Sequence, residues 1–432
     1  MNLAFVNTSF QLGGAETVAH ELIDGCAAAG HATRLYVAAG KTYPRGHGVV
    51  PLYPRALSRL YHSRFHGLTE RWAPRREWTD RRFGTLASGW ADVVHLHNFH
   101  GDYASVASLA AVARHKPLVW TFHGHWGVTG GCDHPIDCTR YQDACGECPR
   151  LGVWPLGTVD DTAAQLELKT RLLGKLPIHV VSPSRMIADR IAKSRVGRQW
   201  QVHHIPNGVS TSAFRGARKS DPTLRGELGL DPAATTILVV NRNFKDQQKG
   251  FTFVREALAA IAQDHPSVQV ALAGDNSSWA GSQLPPSLRT VSLGYIKSRS
   301  TMAALFEAAD IFLFASPAET FPCVVLEAMA SECCVVATPT SGVTEQIEDG
   351  RTGLLATELA GEALGRTLMT ALRDAGHRRA LGRAARGHVT AHFSTESFVA
   401  RHLDLYDTMA AGWVAGGDLA PTNAGGQLNA AR

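Results

Sequence analysis

Glu319 and Glu327 stand eight positions apart in AETFPCVVLEAMA, with Phe321 and Pro322 between them. The apolar run IFLFAS (311–316) delivers the chain to this segment, and an apolar helical pattern follows it. A strand that ends at a helix N-terminus presents backbone N–H groups and a positive dipole end, which suits an anion. In that frame Glu327 is placed to accept hydrogen bonds from a ribose diol, as acidic residues do in other nucleotide sites. Glu319, in the loop, would face whatever hangs from the phosphates. A second strand-like run, ILVVNRN (237–243), leads into FKDQQKGF and places Arg242 and Lys249 in a strand-end loop. Cations there would neutralise a diphosphate leaving group. In isolation an E-x7-E spacing or a Lys-Gly pair is common, and a loop cation is more often only solvated.

A different chemistry is offered by GGCDHPIDCTRYQDACGECP (130–149), where Cys132, Cys138, Cys145 and Cys148 fall inside seventeen residues. The spacing C-x5-C-x6-C-x2-C could supply a structural zinc site, with His134 as a substitute ligand. Disulfides or redox thiols, and unliganded thiols, are the other readings. Nucleic-acid binding fits poorly, because the segment holds Arg140 against Asp133, Asp137, Asp143 and Glu147. The remaining cysteines, Cys26, Cys323, Cys333 and Cys334, sit in apolar contexts and read as small core residues.

These groups need rigid elements to hold them. At 432 residues the chain exceeds one ordinary core. Its 44% hydrophobic and 19% charged content is that of a soluble globular protein. Short apolar runs alternate with helical stretches. The candidate strands are 3–8, 33–39, 92–98, 117–124, 178–184 and 202–208, then 237–243, 268–275, 291–296, 311–316, 335–338 and 353–356. Most are continuously apolar, as strands buried on both faces are. The class is α/β, with parallel sheets built from βαβ units. The charged, strandless stretch 209–233 divides two doubly wound, Rossmann-like domains facing across a cleft. The expected boundaries are 1–210 and 211–390, then a helix 391–412 crossing back to the first domain and a disordered tail 413–432.

The N-terminus lacks a basic region followed by a long apolar run, and no stretch approaches a spanning helix of about 18 apolar residues. A cytoplasmic location is expected. Residues 54–83 carry eight arginines interleaved with aromatics. They suit either an anionic membrane surface or a solvated helical face.

Taken together the motifs resemble the GT-B-fold glycosyltransferases of family 4, retaining enzymes that use nucleotide-sugar donors. The matching pieces are GGAE (13–16), HLHN (95–98), TFHG (121–124), PSR (183–185), IPNGV (205–209), KG (249–250), AGD (273–275), ETFPCVVLEAMA (319–330) and EDGRTGLL (348–355). They appear in the family's order over residues 3–356. The resemblance implies that Glu319 meets the donor sugar, Glu327 the ribose and Lys249 the diphosphate. Arg242 would assist, at a separation from Lys249 longer than the family's usual one. Phe321 and Pro322 would present backbone to the phosphates, and Gly13 and Gly14 a tight loop at the reaction centre. His123 would face the transferred sugar, with His97 and Asn98 on the acceptor side; His95 can equally be a core residue.

The implied partners are a UDP- or GDP-sugar and a glycan or polyprenyl-diphosphate-linked acceptor, as in bacterial surface polysaccharide synthesis. The resemblance extends to a subset with a Cys-rich insert, which here would be a lid or acceptor-side loop. No cofactor is expected for the chemistry. The chain departs from the family pattern at Glu332, which replaces a glycine, at Cys334, which replaces a proline, and at Ser341, where a glycine pair usually starts. Alternatives are a GT-B-fold epimerase or phosphorylase, or a non-catalytic zinc-stabilised binding protein.

Overall fold

The structure, a computed structural model, describes residues 1–10, 13–39, 48–52, 75–100, 103–219 and 221–413. Thirteen strands form two sheets among these residues. The first contains β1 (Asn2–Ser9), β2 (Ala32–Ala39), β3 (Val49–Pro51), β4 (Val93–Leu96), β5 (Leu118–Thr121), β6 (Ile178–Ser182) and β7 (Gln201–His204). Its order is β3-β2-β1-β4-β5-β6-β7, and every pairing is parallel. The second contains β8 (Thr235–Asn243), β9 (Val268–Asp275), β10 (Arg289–Gly294), β11 (Ile311–Phe314), β12 (Cys334–Ala337) and β13 (Leu354–Leu355), in the order β10-β9-β8-β11-β12-β13. Helices cover both faces, which explains why strands such as β4, β5 and β11 are buried along their whole length.

The order reverses between β1 and β4 in one sheet and between β8 and β11 in the other. In open α/β sheets such switch points open a crevice at the strands' carboxyl ends. The residues at and just beyond the ends of β1, β4, β8 and β11 are therefore the ones placed to meet a ligand. They carry Gly13 and Gly14, then His97 and Asn98, then Arg242 and Lys249, then Glu319. Arg242 lies at the end of β8 itself rather than in the loop that the sequence suggests.

The last helix, Thr395–Gly412, belongs by packing to the first sheet. Its Phe398, Val399, Leu405, Tyr406 and Met409 share one apolar cluster with Leu3, Phe5, Val18 and Leu22. Ser394 caps it and also bridges Val209. Helix Gly14–Ala28 lies against it, with the Gly25 backbone pressed on Val399: a Cβ at Gly25 would sit 2.4 Å from a Val399 methyl.

Sequence reading omitted β3, a three-residue edge strand too short to carry a pattern. Most of the arginine-rich 54–83 stretch and residues 414–432 lie outside the described residues. Of the cysteines read as core, Cys26, Cys333 and Cys334 are buried, and Cys323 opens a helix half-buried.

Candidate functional site

The site starts from two loops of the second domain. The first follows β8. Asp246 accepts a hydrogen bond from the Gln248 N–H at 3.0 Å, which starts the short turn Gln247–Lys249. Gly250 then adopts φ +70°, and a Cβ there would sit 1.7 Å from the Ala315 carbonyl oxygen. Only glycine fits, so the Lys-Gly pair is a backbone device that points Lys249 toward β11. The second loop, 315–322, joins β11 to the helix Cys323–Ala330. The two loops meet in an ion pair between Lys249 Nζ and Glu319 Oε1 at 2.9 Å.

Pro322 stands just before the helix as its N-cap, at φ −70° and ψ 118°. Its carbonyl accepts from Gln346 Nε2 (3.0 Å), and that of Phe321 from Asn207 Nδ2 (3.0 Å). The Phe321 ring packs on Phe393. Proline has no N–H, so backbone donors to an anion come from the residues beside it. Gly342 closes the other side, since a Cβ there would meet the Thr320 carbonyl at 2.1 Å. Ser341, where the family pattern has a glycine, hydrogen-bonds the Glu319 carbonyl at 3.2 Å.

Glu327 lies one turn inside the helix. Burial pushes its carboxyl up to about 7, against an opposing pull from Arg299 and a further push from Glu21. Glu21 and Arg299 form an ion pair between the two domains, and Glu21 also accepts from Thr395 at 3.0 Å.

The first domain supplies the opposite wall. The Thr320 hydroxyl donates to the His123 carbonyl at 2.8 Å, which ties the Glu319 loop to the end of β5. The His123 ring lies in a hydrogen bond to His97 at 3.0 Å, and burial holds it at about 4. His97, expected on the acceptor side, is fully buried behind His123 and held neutral by burial and neighbouring imidazoles. His95 is a core residue, bonded to Tyr406 Oη (2.5 Å) and Thr121 Oγ1 (2.7 Å). Asn98, at φ +45°, donates to Glu16 Oε1 at 3.2 Å, and Ser9 donates to the same oxygen at 3.1 Å. Glu16 received no role from the sequence, although it completes GGAE directly after β1.

Between these walls is a cavity of ≈ 400 Å³. Of the expected residues, Gly13, Gly14, Asn98, His123, Arg242 and Lys249 line it. Glu319 reaches it through Lys249, and Glu327 stands further back in the helix. The Cys-rich segment and its sequel contribute Asp133 and Trp154. Trp154 is 64% exposed and meets the His100 ring edge-on. Gly124 gives Asp133 room: a Cβ at 124 would lie 1.9 Å from its carboxylate. Asp133 carried no signal in the sequence beyond its place in the insert, and Trp154, five residues past it, carried none.

Two facing parallel sheets with the charged groups at their switch points define a GT-B protein. Solved structures share that fold over nearly the whole chain. A sucrose-phosphate synthase from Thermosynechococcus elongatus aligns with TM-score 0.68 and 20% identity, covering 95% of this chain and 99% of its own. Anabaena HepE, solved with UDP and glucose, gives 0.66 and 19%, covering 94% and 100%. WaaG, a glycosyltransferase of lipopolysaccharide biosynthesis, gives 0.66 and 17%, covering 94% and 99%.

Residues 12–213 match the Glycosyltransferase Family 4 description and residues 234–374 match Glycosyl transferases group 1. The chain belongs to the family 4 glycosyltransferases. Among curated relatives, the putative colanic acid biosynthesis glycosyl transferase WcaC of Escherichia coli is 24% identical over 59% of this chain and 62% of its own. A phosphatidyl-myo-inositol mannosyltransferase of Mycobacterium tuberculosis is 27% identical over 62% and 60%. The match thus spans about three-fifths of the length of these relatives.

Proposed function

We propose that the chain transfers a sugar, with retention, from a nucleotide diphosphate sugar to a glycan or lipid-linked oligosaccharide of a bacterial surface polysaccharide. The observation that carries the reading is the Lys249–Glu319 pair at one lip of the cavity, tied by Thr320 to His123 at the other. Breaking a glycosyl–diphosphate bond requires charge stabilisation on the leaving group. Lys249 and Arg242 meet that charge, aided by the N-terminus of Cys323–Ala330. When a diphosphate enters, it competes with Glu319 for the Lys249 ammonium, which frees the carboxylate to hold sugar hydroxyls. Glu327 takes the ribose diol.

No carboxylate of this chain is assigned as a covalent nucleophile. The acceptor hydroxyl attacks on the face the diphosphate leaves, and the departing phosphate takes its proton. His123 is a neutral imidazole, so it orients by hydrogen bonding rather than by charge. Trp154 offers an aromatic face and Asp133 a carboxylate to the acceptor, a pairing suited to a sugar ring.

HepE was solved with UDP and with UDP-glucose, which supports a uridine donor. The names of WcaC and WaaG support the surface-glycan setting. Among the described residues no helix is long and apolar enough to cross a membrane. The protein acts in the cytoplasm and approaches a lipid-linked acceptor peripherally, through the arginine-rich 54–83 segment. Thermal stabilisation by a panel of UDP- and GDP-sugars identifies the donor. With it, Glu319→Ala should lose at least about a hundredfold in kcat/KM; unchanged transfer would sink the assignment.

A further inference from the structure

The reaction uses none of the four thiols of the Cys-rich segment. Cys132, Cys138, Cys145 and Cys148 are unbridged and half-buried, and all four line one cavity of ≈ 20 Å³. A space of that size holds roughly one water or one ion. His134 does not line the cavity; it pairs with Asp133.

Beside the thiols lies Lys169, whose side chain is fully buried. Its ammonium donates to the carbonyls of Trp126 (2.6 Å) and Thr129 (3.0 Å) and sits 3.4 Å above the Trp126 ring. All these partners suit a cation, and no carboxylate is among them. Burial pushes the Lys169 ammonium down to about 7, with Cys145 and Cys132 first among the acidic groups that oppose the push. A buried ammonium costs several kcal/mol unless an anion compensates it. Neutral thiols carry no charge, and neither do disulfides.

We propose that Cys132, Cys138, Cys145 and Cys148 bind one zinc(II) ion as a tetrathiolate, with Lys169 as its buried counter-cation. Four thiols release four protons to solvent and take up one divalent ion, leaving a net charge of −2 against which Lys169 is set. Zinc–thiolate bonds are about 2.3 Å long. The sulfurs would reach that distance through changes of cysteine rotamer. Among the described residues no three His, Cys, Asp or Glu side chains are already placed to hold a metal ion, so binding requires the four sulfurs to turn toward one another. The ion would lock Cys132, and with it the adjoining Asp133, against the cleft. The binding claim does not depend on the transfer reaction.

The full chain, purified without chelator and with reductant, should carry about one zinc per molecule by elemental analysis. Refilled with cobalt(II), it should show the d–d spectrum of a tetrahedral tetrathiolate. Cys145→Ser and Cys148→Ser should strip the metal. Lys169→Met should lose zinc to EDTA at least about tenfold faster than the wild type, and Lys169→Arg should largely restore retention. The proposal is overturned if the wild type binds neither metal. It is also overturned if the four sulfurs are found as disulfides, or if Lys169→Met holds zinc as tightly as the wild type. The cobalt spectrum of the wild type decides the matter even if every variant misfolds.

Discussion

The ribose-binding role proposed for Glu327 comes with a cost to folding. Its carboxyl sits at about 7, above the ordinary 4.5, because the fold buries it. The folded protein therefore keeps a proton that the unfolded chain releases. The benefit of holding that proton is fully present below pH 4.5 and is lost as pH rises through 7. Glu327→Gln removes the titration, so at pH 8 the variant should be more stable than the wild type, by up to about 3 kcal/mol. Melting temperatures at pH 5 and pH 8 check this, the gap between variant and wild type widening at the higher pH. The same variant should bind nucleotide more weakly, since an amide accepts only one of the two ribose hydroxyls well. At Trp154 the exposed ring has little packing to lose. Trp154→Ala should raise KM for the acceptor several-fold and leave KM for the donor unchanged, as steady-state kinetics with each substrate varied would show.

At the scale of elements, the departures from the family pattern test how much a turn depends on its residue. Glu332 has φ +59°, the left-handed conformation that a glycine adopts freely. The fold tolerates it through its neighbours. Gly382 leaves room for the Glu332 carbonyl, which a Cβ at 382 would meet at 2.2 Å, and Arg386 stands 3.9 Å from its carboxylate. Such a distant, partly exposed pair contributes little. Glu332→Gly should therefore stabilise the protein by about 1 kcal/mol in chemical denaturation. Gly250→Ala should do the opposite and impair folding, because the clash is with backbone.

These elements also show what a sequence makes readable. The βα rhythm, the ends of β1, β4, β8 and β11, and the E-x7-E helix follow from periodicity and spacing, which are local. Glu16, Asp133 and Trp154 were not legible. Their place in the cavity depends on loops that fold over from other parts of the chain. His97 was placed by alternation, yet its full burial behind His123 was not legible, because alternation fixes a face and not a depth.

At the scale of the molecule, few polar contacts decide how the domains face one another. Glu345, on the second domain, accepts from the N–H groups of Arg185 (2.9 Å) and Met186 (3.3 Å), where a first-domain helix begins. It lies 3.5 Å from His204. These contacts hold its carboxyl below the usual range despite burial. The stability they lend is present above pH 4.5 and fades as pH falls through the depressed value. Glu345→Ala should cost about 1 kcal/mol and quicken hydrogen exchange at the start of helix Arg185–Lys193, with the interior of β11 unaffected.

The helix Thr395–Gly412 has a consequence for how the protein is made. Its apolar residues finish a core begun by Leu3 and Phe5, at the opposite end of the chain. During synthesis the first sheet can assemble long before that helix leaves the ribosome, yet one face stays open until about residue 409 is added. The second domain must be threaded out in the interval. A nascent chain halted before Thr395 would thus expose the apolar face around Leu3, Phe5, Val18 and Leu22, an open flank that only the arrival of this helix can close.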